Sequence, residues 1–222
     1  MTEHDRQTPA PARAPGLLRV RMARGSAPWL LPAFALVLVL AAASAAVPAL
    51  LFAAVAAGAL ALALVWFFRD PDRVAAGAGF ACAADGVVQS IDDQSDGRTR
   101  VAVFMNPLNV HVNRAPLEGA VTRIEHRPGG FRPAFDKDSE RNERVIWTFQ
   151  TEIGEVTVVQ IAGAMVRRIV PYLTEGKQVE KGQRIGLIRF GSRVDVYLPA
   201  GVAPAVEVGQ KVRAGETRLD RD

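Results

Sequence analysis

A small, mostly β domain carried behind an apolar helical hairpin is what the sequence predicts, on three observations. Residues Trp29 to Phe68 contain no charged side chain. Beyond Gly77 the apolar residues alternate with a period of two, in short runs rich in Val and Ile and separated by Gly, Pro or Asp. Long stripes of helical period are absent from that second part.

The elements follow in order. Residues 1–28 carry Arg6, Arg13, Arg19, Arg21 and Arg24 against Glu3 and Asp5, a charge of +3. Residues 29–68 carry none and the chain totals +4, so only +1 remains for 69–222. The basic excess is therefore no nucleic-acid footprint. It reads as a cytoplasmic tail that anionic lipids attract.

The run WLLPAFALVLVLAAASAAVPALLFAAVAAGALALALVWFF is about twice the ~20 residues one helix needs to cross a bilayer. Two spans account for it, broken near Ser44 to Pro48, because proline is tolerated at the start of a helix and breaks the ladder in its middle. Arginine on both flanks, with Arg69 and Arg73 at the exit, suits a transmembrane hairpin whose two ends stay on the cytoplasmic side. A single tilted or re-entrant helix is the alternative; a cleaved signal peptide fits less well, since its apolar region is shorter.

FFRDPDR, Phe67 to Arg73, marks the exit: aromatics at the interface, then charge and proline. TRVAVFM, GAVTRIEHR, ERVIWTFQT, GEVTVVQIAG, QRIGLIRF and RVDVYLP then read as strands, with Val145, Trp147 and Phe149 on one face. GKQVEKGQ (176–183) and GQKVRAGE (209–216) share G-x-x-V-x-x-G. Hairpins of that form recur in the sandwiched barrels of biotinyl and lipoyl carrier domains, a resemblance that implies a related barrel over 69–222. PGGFRPAFDKDSERNER (128–144) reads as a long polar loop.

The chemistry-bearing residues are few. Cys82 stands alone, which excludes an internal disulfide and suits a small buried hydrophobe. His4, His111 and His126 lack any paired metal-ligand spacing, and no glycine-rich phosphate loop is present, so no metal or nucleotide site is expected. Asp85 sits in AADGVV, by itself a turn signal. His111 sits in MNPLNVHVNRAP, on the strand face opposite Val110 and Val112, where a structural histidine is the ordinary reading. Gly191-Ser192 could be a plain turn, and Ser192 shares the inward face with Val194, Val196 and Leu198. Asp, His and Ser make a nucleophile together only if the fold brings them into one place.

Several motifs in order give the chain a family resemblance: the double apolar run ending in WFFRDPDR, ADG at Asp85, FMNPLNVHVNRAP, PGGFRPAF with NER at 142–144, AGAMVRRIV, EGKQVEKGQRIG and FGSRVDVYLP. The chain resembles the short, bacterial type of phosphatidylserine decarboxylase. The resemblance implies a proenzyme that cuts itself between Gly191 and Ser192 into a large chain (1–191) and a small chain (192–222), which stay associated. It implies that His111 deprotonates Ser192, that Asp85 orients His111, and that Ser192 ends as a pyruvoyl group. That group would take the amine of phosphatidylserine as a Schiff base and draw off the electron pair as CO2 leaves, giving phosphatidylethanolamine.

The apolar run with its arginine flanks and the charge count together give the expectation of an inner-membrane protein with its catalytic domain on the cytoplasmic face and no nucleic-acid partner, with a homo-oligomer left open. Larger members carry a second histidine where this chain has Leu108, so the proton donor in decarboxylation is not assigned beyond His111. Arg167, Arg168 and Arg193 are candidates to meet lipid phosphate or carboxylate, against the plainer reading of solvated strand charges. Two other classes remain: a non-catalytic membrane-anchored carrier or adaptor, with Asp136-Lys137 as its Asp-Lys pair, and a peptidase using Ser192.

Overall fold

The computed structural model describes residues 20–130, 142–163, 168–189 and 192–221. Gly191, Arg167, Asp136, Lys137 and the basic tail before Val20 lie outside the described residues. The chain enters through β1 (Val20–Met22), which leads into helix α1 (Ala27–Ala43). A turn over Ser44–Ala49 leads into helix α2 (Leu50–Phe67), so the break falls where Ser44 to Pro48 predicted it. Leu30 of α1 and Ala54, Ala61 and Phe67 of α2 are buried, while Leu31, Leu38, Phe52, Leu62 and others stand exposed. Small residues on a helix surface let two backbones approach closely.

At 18 residues α2 is long and apolar enough to cross a membrane; α1 is one residue shorter and holds Pro32. Immediately after α2, strand β2 (Arg69–Pro71) pairs antiparallel with β1, Met22 against Arg69 and Val20 against Pro71. The Ala23 N–H also donates to the Phe68 carbonyl at 2.8 Å. A two-stranded ribbon thus ties the chain just before α1 to the chain just after α2.

The rest is mostly β, as the alternation predicted. The strands are β3 (Gly86–Asp93), β4 (Thr99–Met105), β5 (Val112–Arg114), β6 (Gly119–Arg127), β7 (Arg144–Thr151), β8 (Gly154–Ala162), β9 (Ile169–Pro171), β10 (Gln178–Val179), β11 (Arg184–Ile188), β12 (Ser192–Leu198) and β13 (Lys211–Val212). Eight form one sheet in the order β10-β6-β7-β8-β12-β4-β3-β13, and β5-β11-β9 form a second. Trp147, Phe149, Val101, Val103, Val194, Val196 and Leu198 are sealed between them. Burial of each such side chain contributes about 1.5–3 kcal/mol.

The two G-x-x-V-x-x-G segments occupy opposite edges of the large sheet, β10 against β6 and β13 against β3, with Val179 and Val212 turned inward. The edges are not hydrogen-bonded to one another among the described residues, so the expected closed barrel is corrected to an open, curled sheet. Its edges nevertheless approach: a Cβ on Gly215 would lie 3.7 Å from the Gly182 Cα. Arg114 fills that corner and donates to the Gly182 carbonyl at 2.9 Å.

Candidate active site

Ser192 opens β12, the strand held between β4 and β8. Its register partners are Met105 and Ala162. The period of two places Ser192 inward with Val194, Val196 and Leu198, and all four are fully buried. The Ser192 hydroxyl oxygen has no hydrogen-bond partner among the described residues. An unmade hydrogen bond of this kind costs about 1–3 kcal/mol, and native interiors hold few of them.

His111 is the second orphan. The expected alternation, with His111 on the strand face opposite Val110 and Val112, does not separate them by burial: His111 precedes β5, and Val110, His111 and Val112 are all buried. The second strand face is covered by the foot of the helical hairpin, where the Phe67 ring lies over the imidazole at 4.1 Å between centroids. The Nδ1 atom is 3.0 Å from the Asn109 carbonyl oxygen, which can only accept, so Nδ1 carries the hydrogen. Nε2 is therefore the basic nitrogen, and it is buried without a partner among the described residues. Burial pushes the His111 pKa down to about 4, with the Arg69 charge adding to that and the Asp85 charge opposing it.

A chain of contacts links the strand partner of Ser192 to the strand that follows His111. Met105, opposite Ser192, accepts at its sulfur from Asn113 at 3.6 Å, and Asn113 is two residues beyond His111. Asn113 Oδ1 accepts from Gln160 Nε2 at 2.7 Å, and Gln160 Oε1 accepts from the Trp147 indole at 2.7 Å. This buried polar chain ties β4, β5, β7 and β8 to one another. Asn142, at the other side of Ser192, donates to the carbonyl of its partner Ala162 at 2.9 Å.

Asp85 makes no hydrogen bond to His111, which corrects the expectation of a direct orienting contact. Its two carboxylate oxygens are taken by the Arg73 guanidinium, one of them at 2.8 Å, and by the Ala214 N–H at 2.8 Å. Arg73 donates in turn to the Ala214 carbonyl at 2.8 Å. The Asn109 carbonyl does the orienting that a carboxylate was expected to do. Asp85 acts on the ring through its charge alone.

Further expectations resolve one by one. Arg193, a candidate for the headgroup, is buried and bonded twice to Asp195 at 2.8 Å. Arg168 is exposed. Cys82 is fully buried, its thiol donating to the Ala84 carbonyl, and burial pushes its pKa up to about 12. Leu108 is 69 % exposed beside Arg69, which donates to the Leu108 carbonyl at 2.7 Å and stacks on Trp66 at 4.0 Å. Among the described residues no group of three or more His, Cys, Asp or Glu side chains could hold a metal ion. A cavity of about 410 Å³ between Phe80, Leu117, Ile153 and Val202 touches none of Asp85, His111 or Ser192.

Sequence reasoning missed Asn109, Arg73, Phe67 and Gln160. Arg73, the second arginine of WFFRDPDR, was visible as a charge at the membrane exit, but nothing local tied it to Asp85. Asn109 offers its backbone, and a backbone acceptor leaves no signal in residue type.

The family model described as phosphatidylserine decarboxylase matches residues 60–220. The chain is 72 % identical over 211 residues to a phosphatidylserine decarboxylase proenzyme of Thermobifida fusca, covering 94 % of this chain and 96 % of that one. It is 62 % identical over 207 residues to the protein of that description in Streptomyces avermitilis, covering 92 % and 95 %. For that of Streptomyces coelicolor the figures are 58 % over 216 residues, covering 97 % and 98 %.

Proposed function

This chain belongs to the phosphatidylserine decarboxylase family and converts phosphatidylserine to phosphatidylethanolamine and CO2, and we propose that it does so after cutting itself between Gly191 and Ser192. The observation that carries this reading is the pair of buried atoms left without partners, Ser192 Oγ and His111 Nε2. A serine hydroxyl is a poor nucleophile until a base takes its proton. A neutral imidazole with a fixed tautomer and an unoccupied lone pair is such a base.

In the self-cleavage, His111 Nε2 accepts the Ser192 proton, and the oxygen attacks the Gly191 carbonyl carbon. The C–N bond breaks as the Ser192 nitrogen is protonated, leaving an ester between Gly191 and the Ser192 side chain. Loss of the Ser192 Cα proton expels the Gly191 carboxylate, and hydrolysis releases ammonia. The Asp85 charge stabilises the imidazolium formed on the way, and Phe67 keeps water off the ring.

The residues present fit a pyruvoyl group at position 192: the side chain there is small, sealed from water and free of competing hydrogen bonds. Such a group supplies an electron sink for the pair left when CO2 departs. His111, with its Nε2 facing no other partner, holds and returns the proton. Because β12 is paired along both sides, with β4 and with β8, the small chain stays in place after the cut.

The apolar hairpin enters the inner membrane with both ends on the cytoplasmic side, a reading supported by the β1–β2 ribbon at its foot. The site then stands beside the bilayer surface, so a diacyl lipid need not leave the membrane at about 0.8 kcal/mol per exposed CH₂. Release of labelled CO2 from carboxyl-labelled phosphatidylserine by the purified chain, and its loss in Ser192→Ala, tests the proposal. Equal release by both proteins contradicts it.

A further inference from the structure

Most arginines of the β domain are matched to a carboxylate, as Arg73 is to Asp85, Arg184 to Asp70 and Arg193 to Asp195. Arg24, Arg168 and Arg189 meet none among the described residues, and they gather at the foot of the hairpin. Arg189 is 8 % exposed; its Nη2 donates to the Gly25 carbonyl at 2.8 Å and its guanidinium lies over Trp29 at 5.8 Å. Its Nε is buried with no partner among the described residues. Gly25, at φ +86°, makes room, since a Cβ there would sit 3.3 Å from the guanidinium.

Arg168 is close enough for its charge to push the Arg189 pKa down, on top of burial. Arg24 donates to the Tyr172 carbonyl at 3.4 Å and lies over the Tyr172 ring at 5.3 Å, while the Tyr172 hydroxyl donates back to the Arg24 carbonyl at 3.0 Å. Two further cations are thus collected around the one buried guanidinium, with no carboxylate paired to any of the three among the described residues, and burial without compensation is costly. An anion with several oxygens is what such a fork recognises.

The place of the cluster says which anion. Arg189 precedes Ser192 by three residues, at most about 10 Å of chain, and Arg24 stands three residues before α1. We propose that Arg189, flanked by Arg168 and Arg24, binds the phosphodiester of a phospholipid headgroup and so holds the serine end of the substrate toward position 192. This rests on the decarboxylase reading, and it adds a substrate-positioning site to it.

The test uses the full-length, processed protein and two monomeric short-chain lipids: dihexanoylphosphatidylethanolamine for calorimetric binding and dihexanoylphosphatidylserine for turnover. In Arg189→Met, Kd and KM rise about tenfold or more while kcat stays within about threefold, and Arg189→Lys recovers most of the loss. Processing is scored first by mass. If Arg189→Met is not processed, Arg24→Gln/Arg168→Gln, which changes two exposed side chains, carries the test with a rise of about threefold or more.

Unchanged Kd and KM in fully processed variants overturn the proposal. So does weaker flotation on phosphatidylglycerol vesicles with monomeric lipid binding intact, because the arginines then attract a charged surface and hold no headgroup. A wild-type chain that neither cuts itself nor releases CO2 sinks the underlying reading instead, and binding of the phosphatidylethanolamine separates the two failures.

Discussion

His111 Nδ1 lies 3.0 Å from the Asn109 carbonyl oxygen, and the opposite nitrogen of the same ring is buried with nothing to bond. The backbone thereby selects the tautomer, and burial keeps the ring neutral down to about pH 4. Self-cleavage of freshly translated chain is expected to proceed at a constant rate between pH 6 and 8 and to fall only in acid, with a midpoint well below the ordinary histidine value of about 6.5. Rate constants from quenched electrophoresis across that range check it. A midpoint near 6.5 would mean a solvated ring.

The same burial has a consequence for stability. The unfolded chain binds a proton at His111 near pH 6.5, the folded chain only near pH 4. Between those values the unfolded state holds more protons, so stability rises with pH across this window and is lost as pH falls through it, by at most about 1.4 kcal/mol per pH unit. Urea unfolding of Ser192→Ala shows that slope. Adding His111→Phe removes this share of it.

Asp85 and Arg73 are a buried pair with side chains 10 % and 7 % exposed. Asp85→Asn strands the guanidinium and costs about 3–5 kcal/mol, as removal of one partner of a buried pair does. Asp85→Asn/Arg73→Met costs less than the sum of the single changes, and a double-mutant cycle by urea unfolding measures the difference. The single variant also slows self-cleavage, because the imidazolium loses a nearby negative charge.

Gly86, directly after Asp85, has φ +155°, and a Cβ there would collide with the Phe104 carbonyl oxygen of β4. Gly86→Ala forces β3 off β4 and costs about 3 kcal/mol or more. Gly154→Ala is the control: its φ is +105° but the space around it is open, so it loses only about 1–2 kcal/mol. Thermal unfolding separates the two.

With β1 paired to β2, both ends of the hairpin lie on one side of any bilayer it crosses. In a Cys82→Ala background, Ala46→Cys in the turn is expected to react with an impermeant maleimide from outside intact cells, and Val74→Cys only after lysis. Labelling of both positions from outside would contradict the topology.

Much of this was legible because it is local or periodic. The helix break, the inward row of Ser192, Val194 and Val196, and the glycine-cornered edge hairpins each write their pattern into neighbouring residues. What was not legible depends on partners far along the chain. Arg73 meets Asp85 and Ala214 at once, and Phe67 of the hairpin covers His111. Period two also misled at β12, where Arg193 and Asp195 should face solvent yet are buried as an ion pair. An ion pair can be sealed inside a sheet that residue type alone marks as polar. The family resemblance supplied the link between Asp85, His111 and Ser192, and the geometry changed the part Asp85 plays in it.

The most direct measurement of the central claim is the intact mass of the purified protein under denaturing conditions. Two chains are expected, one ending at Gly191 and one spanning residues 192–222 that is lighter than its serine form by one ammonia and closed to Edman degradation, while Ser192→Ala stays whole. A single uncut wild-type chain that still releases CO2 from phosphatidylserine would contradict the account.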